Sequence, residues 1–355
     1  MPIFHAIGQE LISRSEYLAR AAEMQQSAAF DVGLAEPAGS VRPFADIDFG
    51  RPLNIVMRKV YTGKFPQKKV FSSSKPMLIT SAIKDITTTS AAAQAIHVLK
   101  QDVSAHSTFN GPGAREEGTQ LVYYSPAVAS SLITISIQMV FDDFDDELFT
   151  QASQLFTNLA GVPIFVPASG YLLGASTVLK LAGDLGGALF RNKAVLDESM
   201  ELDFTFGGGA IPKPGYWVIS PGSLDLSKFQ YDPNRGLVEK SSGQTYSGDD
   251  PVIVLSIDGS EQPSLTNFSP LMASASVLGQ FFNQKPGSEV VMDTVLSAVK
   301  LYNDFTFRKK AEELEQRLKA APTGSDEQKL LQKQVAALNG SITEPRLKLS
   351  QAQGV

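Results

Sequence analysis

Residues 51–84 are suited to binding an anion, because this stretch is rich in positive charge. It contains eight Lys and Arg residues and no Asp or Glu, in a chain whose formal net charge is -6. Cations concentrated in one part of an acidic chain create a local positive potential that attracts phosphate or carboxylate groups. A predicted turn at residues 63–67 would gather five of them into a candidate anion site: Arg58, Lys59, Lys64, Lys68 and Lys69.

Two interpretations of this basic stretch stay open. In the first, strands at residues 53–61 and 69–72 form a hairpin whose tip carries the five cations. The aromatic residues interleaved with them suit an anionic lipid surface, where each Lys or Arg contributes about 1 kcal/mol. In the second, side chains alternate between the two faces of each strand, so the cations are divided and remain ordinary solvated charges.

Negative charge is most concentrated at residues 142–147, where five of the six residues are acidic. Calcium prefers roughly six to eight oxygen ligands, but this segment lacks the spacing and the glycine of an EF-hand loop. Acidic residues at the start of a helix are also favoured by capping and by the helix dipole. We therefore predict a helix N-terminus here, and no metal site.

The chain has few residues that could act as a catalytic base or nucleophile. It contains three histidines and no cysteine, and the Gly-x-Ser-x-Gly and His-Glu-x-x-His motifs do not occur. His106, beside Ser107, is the strongest candidate base, whereas His97 lies between apolar neighbours and is expected in the core. Glycines 207–209 lack the Lys-Ser/Thr of a phosphate-binding loop. The sequence favours a protein without catalytic residues or a cofactor, and a hydrolase using His106 remains an alternative.

The composition describes a folded chain. Its 355 residues, 43% of them apolar, are sufficient for two or three domains with a sizeable core. The lack of cysteine excludes disulfides and thiolate metal sites, and no secretory signal is visible, so we predict a cytoplasmic protein. Residues 148–179 carry no charge, but glutamines and prolines interrupt them, so no membrane-spanning helix is predicted.

Hydrophobic spacing predicts a β-rich first half and a mixed middle. An amphipathic helix is expected over residues 3–28 and a short helix over 91–101. The clearest strand is 133–139, where apolar and polar residues alternate as in a half-buried strand. Further strands are expected at 53–61, 69–72, 77–83, 120–124, 201–206, 216–220 and 252–257. Further helices are expected over 145–159, 169–190 and 269–282.

The C-terminal segment predicts two helices. Apolar residues recur at a 4-3-4-3 spacing from residue 291 to 305, and the pattern repeats from 307 to 321 with a shift of two residues. Pro322 and Gly324 break the chain, and Ser325 with Gln328 forms a capping box for the second helix. Residues 344–355 are expected to form a loose tail.

Together these patterns predict an α+β fold. It comprises an antiparallel β-sandwich-like N-terminal region, an α/β middle region and a C-terminal α-helical hairpin. The N-terminal helix and linker occupy residues 1–50 and the sandwich-like domain residues 51–146. The mixed α/β domain follows over 147–287, and the helical hairpin and tail over 288–355.

The function predicted from these features is that of a non-catalytic binding or interaction protein acting through protein–protein contacts. The helical hairpin would contact a protein partner or a second copy of the chain, because its apolar stripe has the spacing of a helix-pairing seam. Peripheral binding to an anionic membrane surface through the basic hairpin is an alternative, and a hydrolase is another. The excess of acidic over basic residues argues against a specific nucleic-acid partner.

Overall fold

The structure is a mainly antiparallel β fold with helices at its C-terminal end. The computed structural model describes residues 3–7, 10–13, 15–17, 19, 44–65, 74–85, 93–112, 118–141, 194–204, 212–221, 224–225, 227–262 and 292–349. Within these ranges the strands are β1 (Ile3–Ile7), β2 (Glu10–Ser13), β3 (Leu53–Tyr61), β4 (Ser74–Asp85), β5 (Ala93–Ser104), β6 (Thr108–Phe109), β7 (Leu121–Ser125), β8 (Leu132–Phe141), β9 (Leu196–Asp203), β10 (Gly215–Ile219), β11 (Phe229–Asp232), β12 (Gly236–Glu239) and β13 (Val252–Asp258). The two long helices are α1 (Met292–Ala320) and α2 (Asp326–Ser341), a short 3-10 helix follows at Pro345–Leu347, and residues 15–17 and 19 are also helical. The α+β class is therefore observed.

The strands form two sheets whose order differs from their order along the chain. The nine-stranded sheet runs β12-β11-β2-β1-β10-β13-β3-β6, and β7 also pairs with β3. The four-stranded sheet runs β5-β4-β8-β9. All of these pairings are antiparallel. Strands β1, β3 and β13 come from distant parts of the chain and lie in the same sheet.

Strand β8 confirms the clearest alternation in the sequence. Its odd-numbered residues from Ile133 to Met139 are buried, and the polar residues between them are partly exposed. The buried side chains join the largest hydrophobic core, which also takes residues from the nine-stranded sheet and from both helices. One shared core therefore fixes the two sheets and the helices relative to one another.

The nine-stranded sheet is curled. Five strands separate β3 from β12 in the sheet order, yet Lys59 of β3 packs against Gly236 of β12. A Cβ added to Gly236 would lie 3.3 Å from Lys59 Cδ. The face on the inside of this curl, called the concave face below, carries a second hydrophobic cluster. Its buried members are Phe4, Leu11, Tyr61, Val218, Leu224, Tyr231, Leu237, Val252 and Val254.

The two C-terminal helices are joined by a short connection and contact each other along α2. Ser325 caps α2, because its hydroxyl accepts a hydrogen bond from the Gln328 N–H at 3.1 Å. The Gln328 side chain in turn accepts from the Gly324 N–H, one residue before the cap. Phe307, Ala311 and Leu314 of α1 are buried in the main core, as the second apolar stripe predicts.

The chain after α2 is held in place as far as residue 349, which corrects the expectation of a loose tail from residue 344. The buried Asp304 carboxylate accepts hydrogen bonds from the Thr343 N–H, the Thr343 hydroxyl and the Glu344 N–H at 2.7–2.9 Å. The Asn339 side chain bonds the backbone of Leu349 through both its oxygen and its nitrogen. The carboxylate and the amide together anchor this segment.

Two predicted helices are wrong over most of the described residues that they cover, although residues 15–17 and 19 are helical. Residues 3–7 and 10–13 are strands, with Ile3 in the main core and Phe4 in the concave cluster. These strands place apolar residues in both cores, so they lack the alternation that identifies a half-buried strand. The spacing of their apolar residues therefore resembled that of an amphipathic helix. Residues 93–104 are likewise the strand β5 rather than a helix. The helices predicted over 145–159, 169–190 and 269–282 lie outside the described residues.

Candidate functional site

A β-bulge in β3 places Arg58 and Lys59 on the same face of the sheet. Val254 of β13 pairs with Lys59, whereas the next residue, Leu255, pairs with Met57. Arg58 is therefore the extra residue of the bulge. Because Met57 and Val60 are both buried in the main core, the two cations between them face the opposite, concave side. The structure thus brings together two of the five predicted anion-site residues.

Arg58 is the more accessible of these two cations. Its side chain is exposed, and its Nε donates a hydrogen bond to the Ser256 hydroxyl at 2.7 Å. Ser256 lies directly opposite Tyr216 in the β10–β13 pairing, so the Arg58 side chain points along a row of polar residues. The Tyr216 ring lies 4.8 Å from the Tyr231 ring. This row of Arg58, Ser256, Tyr216 and Tyr231 is called the arginine–tyrosine row below.

Lys59 is tied to its surroundings. Its Nζ donates a hydrogen bond to Asn110 Oδ1 at 2.8 Å, and its stem packs on Gly236. Burial lowers the pKa of Lys59, and the charge of Asp232 partly offsets that effect. Asp232 is itself bonded to Arg235, whose Nε lies 3.2 Å from its carboxylate. Lys59 therefore closes the curl of the sheet and is poorly placed to meet an external anion.

The remaining predicted cations are separate from the bulge. Lys64 lies beyond the end of β3, where its Nζ is 3.7 Å from the carboxylate of the exposed Asp249. Lys68 and Lys69 lie outside the described residues. The second strand of the predicted hairpin, residues 69–72, also lies outside them. In the described chain β3 pairs with β13, β6 and β7, and the next described strand, β4, belongs to the other sheet.

His106 contacts a tyrosine rather than a nucleophile. Tyr61 donates its hydroxyl proton to the Gly248 carbonyl at 2.8 Å, and the same oxygen lies 2.9 Å from His106 Nδ1. Since that proton is already donated, Nδ1–H of His106 must be the donor to Tyr61, which leaves Nε2 as the acceptor nitrogen. Burial is the largest of the causes that raise the pKa of Tyr61 to about 12, so this phenol stays protonated at neutral pH.

Ser107 is not activated by its histidine neighbour. Its hydroxyl donates to the Ser104 carbonyl at 2.7 Å, and its N–H donates to the Thr62 hydroxyl. His106 also has a positive φ of 52°, an unusual conformation for a residue with a Cβ. His106 thus has a structural role, through its hydrogen bond to Tyr61 and its place in this turn.

His97 is a core residue, as its apolar neighbours predict. It is fully buried, with Nδ1 2.8 Å from the Thr119 carbonyl and Nε2 2.7 Å from the Ser81 hydroxyl. A carbonyl can only accept, so Nδ1 carries the proton and Nε2 accepts from Ser81. Burial lowers the pKa of His97 to about 4, which keeps the ring neutral. Although a serine and a histidine meet here, a substrate cannot reach them.

The third histidine belongs to an aromatic cluster. His5 is buried, stacked on Tyr17 at a centroid distance of 3.9 Å and edge-on to Trp217 at 4.5 Å. Tyr17 also accepts a hydrogen bond from the Lys213 N–H. The cluster packs the N-terminal strand against its surroundings, so His5 is explained by packing.

Acidic residues do not assemble a metal site in the parts of the chain that the structure describes, where no group of three or more His, Cys, Asp or Glu has the required proximity. The acidic segment 142–147 lies outside those parts. Within the same limits, no helix is long and apolar enough to cross a membrane.

A cleft opens at one end of the concave face. It is lined by Lys59, Tyr61, Arg235, Gly236 and Tyr246, among others. Its volume of about 20 Å³ accommodates a water molecule but not an organic ligand. The exposed guanidinium of Arg58 lies at a different point on the same face, in the arginine–tyrosine row.

Sequence reasoning identified Arg58 but missed its polar neighbours. Ser256 and Tyr216 lie in strands roughly 160–200 residues further along the chain, and only the strand register brings them to Arg58. A signal for Tyr216 did exist, because it lies in a predicted strand. No local pattern could have paired that strand with the one that carries Arg58.

No protein-family model matches the chain, and no curated protein matches its sequence.

Proposed function

We propose that this chain is a non-catalytic binding protein that associates with a second copy of itself through α1. The observation that carries the proposal is an exposed apolar pair on that helix. Leu301 is 53% exposed and Phe305 is 60% exposed, and they lie four residues apart on one side of the helix. Water contact with two large apolar side chains is unfavourable, and burial in an interface removes it.

The relative lengths of the two helices support an interface at this point. Asp304 of α1 bonds Thr343 just after α2 ends, so α2 runs beside α1 only from about residue 304 onward. Residues 292–303 extend beyond α2 by about 18 Å at 1.5 Å per residue. Leu301 and Phe305 lie at the boundary between these two parts of α1, and a neighbouring helix could cover both.

A second copy is the occupant that best suits this surface. The 4-3-4-3 apolar spacing from residue 291 to 305 is the spacing with which helices pair; Phe305 belongs to it and Leu301 lies beside it. A two-fold interface brings the same patch of each copy together, so an apolar helix face can cover itself without another protein. Phe305 also lies one turn from Lys309, which keeps the edge of the patch solvated.

The test is the mass of the chain in solution, measured by size-exclusion chromatography with light scattering. The wild-type chain should give the mass of a dimer at micromolar concentration. Replacing both Leu301 and Phe305 with Asp should give a monomer, because two desolvated carboxylates oppose association. Gln316→Asp, an exposed change on the same helix, should leave the dimer intact. A wild-type chain that remains a monomer refutes the proposal.

Peripheral binding to an anionic membrane is a less favoured proposal. The exposed guanidinium of Arg58 supports it, whereas the local partners of Lys59 and Lys64 reduce the charge offered to lipid phosphates. Flotation with anionic vesicles at low and high salt tests it, since electrostatic binding must weaken with salt. Binding that is lost in Arg58→Gln would support a role for this residue at the lipid surface.

Finer features of the architecture and the location belong to the same proposal. We take the two sheets with their shared core to form a sandwich-like arrangement, and α1 with α2 to act as a helical hairpin. A cytoplasmic location is consistent with a chain that lacks cysteine. Localisation of a tagged chain by microscopy tests that last point.

A further inference from the structure

The arginine–tyrosine row collects hydrogen-bond donors on the concave face. Arg58 uses Nε for Ser256, and within the described residues its two terminal nitrogens donate no hydrogen bond. These nitrogens form the planar fork with which arginine binds an oxyanion. The Nε contact fixes the guanidinium, so less rotational freedom is lost when an anion binds there.

Two tyrosines continue the row beyond Ser256, since Tyr216 pairs with Ser256 and its ring lies 4.8 Å from that of Tyr231. Tyr216 is partly exposed and pairs with Ser256 across the β10–β13 strands. Its ring contacts the Phe44 ring edge-on, with the ring centroids 5.0 Å apart. Tyr231 is fully buried, and its hydroxyl finds no hydrogen-bond partner in the described structure. Burial raises the pKa of both phenols, and the Arg58 charge acts in the opposite direction, which places both hydroxyls within its field.

The buried Tyr231 hydroxyl points to a ligand because it is costly as it stands. A buried donor without a partner is unfavourable by about 1–3 kcal/mol, and most such groups in proteins are satisfied. Phenylalanine would fill the same space without this cost. An anion oxygen held between Arg58 and the two tyrosines would accept this hydrogen bond.

We propose that the Arg58 guanidinium, with the hydroxyls of Tyr216 and Tyr231, binds the carboxylate of a small aromatic or aliphatic acid. One guanidinium supplies a single positive charge, which matches a monoanion. A phosphate dianion would require a second cation, and Lys59, the adjacent one, is already bonded to Asn110 and influenced by Asp232. The rings of Phe44 and Tyr216 provide an apolar surface for the body of the acid. This site does not depend on association through α1.

Calorimetric titration of the full chain with benzoate tests this site, with acetate and inorganic phosphate as comparison probes. Benzoate should bind saturably with a millimolar or tighter Kd, and more tightly than either comparison probe. Arg58→Gln should weaken benzoate binding roughly tenfold or more, since charged hydrogen bonds are lost. Arg58→Lys should also weaken it, because a lysine keeps the charge but not the fork.

Two further variants distinguish specific binding at this site from nonspecific electrostatic attraction of the anion. Lys59→Gln removes a positive charge from the same bulge and should change benzoate affinity by less than about twofold. Tyr231→Phe should weaken benzoate binding while the melting temperature of the ligand-free chain stays the same or rises. Any of three results would overturn the proposal. These are an absence of saturable benzoate binding, an equal loss of benzoate affinity in the Arg58 and Lys59 variants, and tighter binding of phosphate than of benzoate.

Discussion

His97 is a buried base whose protonation opposes folding. Its pKa is lowered to about 4 by burial, whereas an unfolded chain has a histidine pKa near about 6.5. Between these values the unfolded state binds a proton that the folded state does not. The stability contributed by neutral His97 is therefore complete above pH ~6.5 and is lost as the pH falls towards 4.

We predict that the free energy of unfolding drops by about 2 kcal/mol between pH ~7 and pH ~5 because of this residue alone. Urea unfolding of the wild-type chain at both pH values measures the drop. His106→Gln should retain it, because that ring is exposed. His97→Gln should be less stable at neutral pH and should lose most of the dependence. If the free energy of unfolding of His97→Gln drops between the two pH values as much as that of the wild-type chain, this assignment is contradicted.

Gln334 is a polar residue in an apolar setting, and its replacement should stabilise the protein. It lies on α2 between Leu331 and Leu338, is 1% exposed, and neither polar atom of its side chain has a hydrogen-bond partner in the described structure. Gln334→Met keeps the shape of the side chain and removes the buried amide. We predict a gain of about 1–3 kcal/mol in the free energy of unfolding.

Thermal and urea unfolding of Gln334→Met measure that gain, and Gln332→Met is the matched control. Gln332 lies on the same helix but is exposed, so its replacement should change stability by less than about 0.5 kcal/mol. A loss of stability in Gln334→Met would mean that the amide has a role that apolar packing cannot replace.

At the scale of elements, one carboxylate of α1 holds the segment that follows α2. Asp304 accepts three hydrogen bonds from the segment that follows α2, two of them from backbone N–H groups. Asp304→Ala removes all three acceptor contacts and should destabilise the chain by about 2–4 kcal/mol. Hydrogen exchange should show lost protection of the Thr343 and Glu344 amides, beyond any global change.

The control for this change is Glu313→Ala on the same helix. Glu313 pairs with Lys310 at 2.7 Å, but both groups are partly solvated, so the loss should stay below about 1 kcal/mol. Retained protection of the Thr343 amide in Asp304→Ala would show that packing, and not the carboxylate, holds this segment.

The bulge in β3 shows how one inserted residue changes the chemistry of an element. Without it, Arg58 and Lys59 would face opposite sides of the strand, and one of them would enter the main core. With it, Met57 and Val60 both reach that core and the two cations share the concave face. Alternation along this strand therefore cannot be extrapolated across residue 58.

At the scale of the whole molecule, local patterns predicted elements better than their arrangement. Strand β8 follows from alternation, β3 and β13 follow from short runs rich in apolar residues, and the cap of α2 follows from Ser325; all of these signals act over a few residues. The N-terminal strands were missed because β1 is covered on both faces, which removes its periodicity. Arg58 could be singled out by charge, but its partners Ser256, Tyr216 and Tyr231 come together only through pairing between distant strands.

The position of β1 has a consequence for how the chain acquires its fold. Ile3 pairs with Ile219, roughly 200 residues away, and such non-local contacts slow folding. During synthesis, the edge of β1 that pairs with β10 therefore stays unpaired until β10 has left the ribosome. A chain truncated after residue 214 should aggregate, because that edge stays open to other chains. Sedimentation of the truncated and full-length chains after synthesis in vitro compares them directly; equal solubility would show that β10 is not needed to protect the nascent edge.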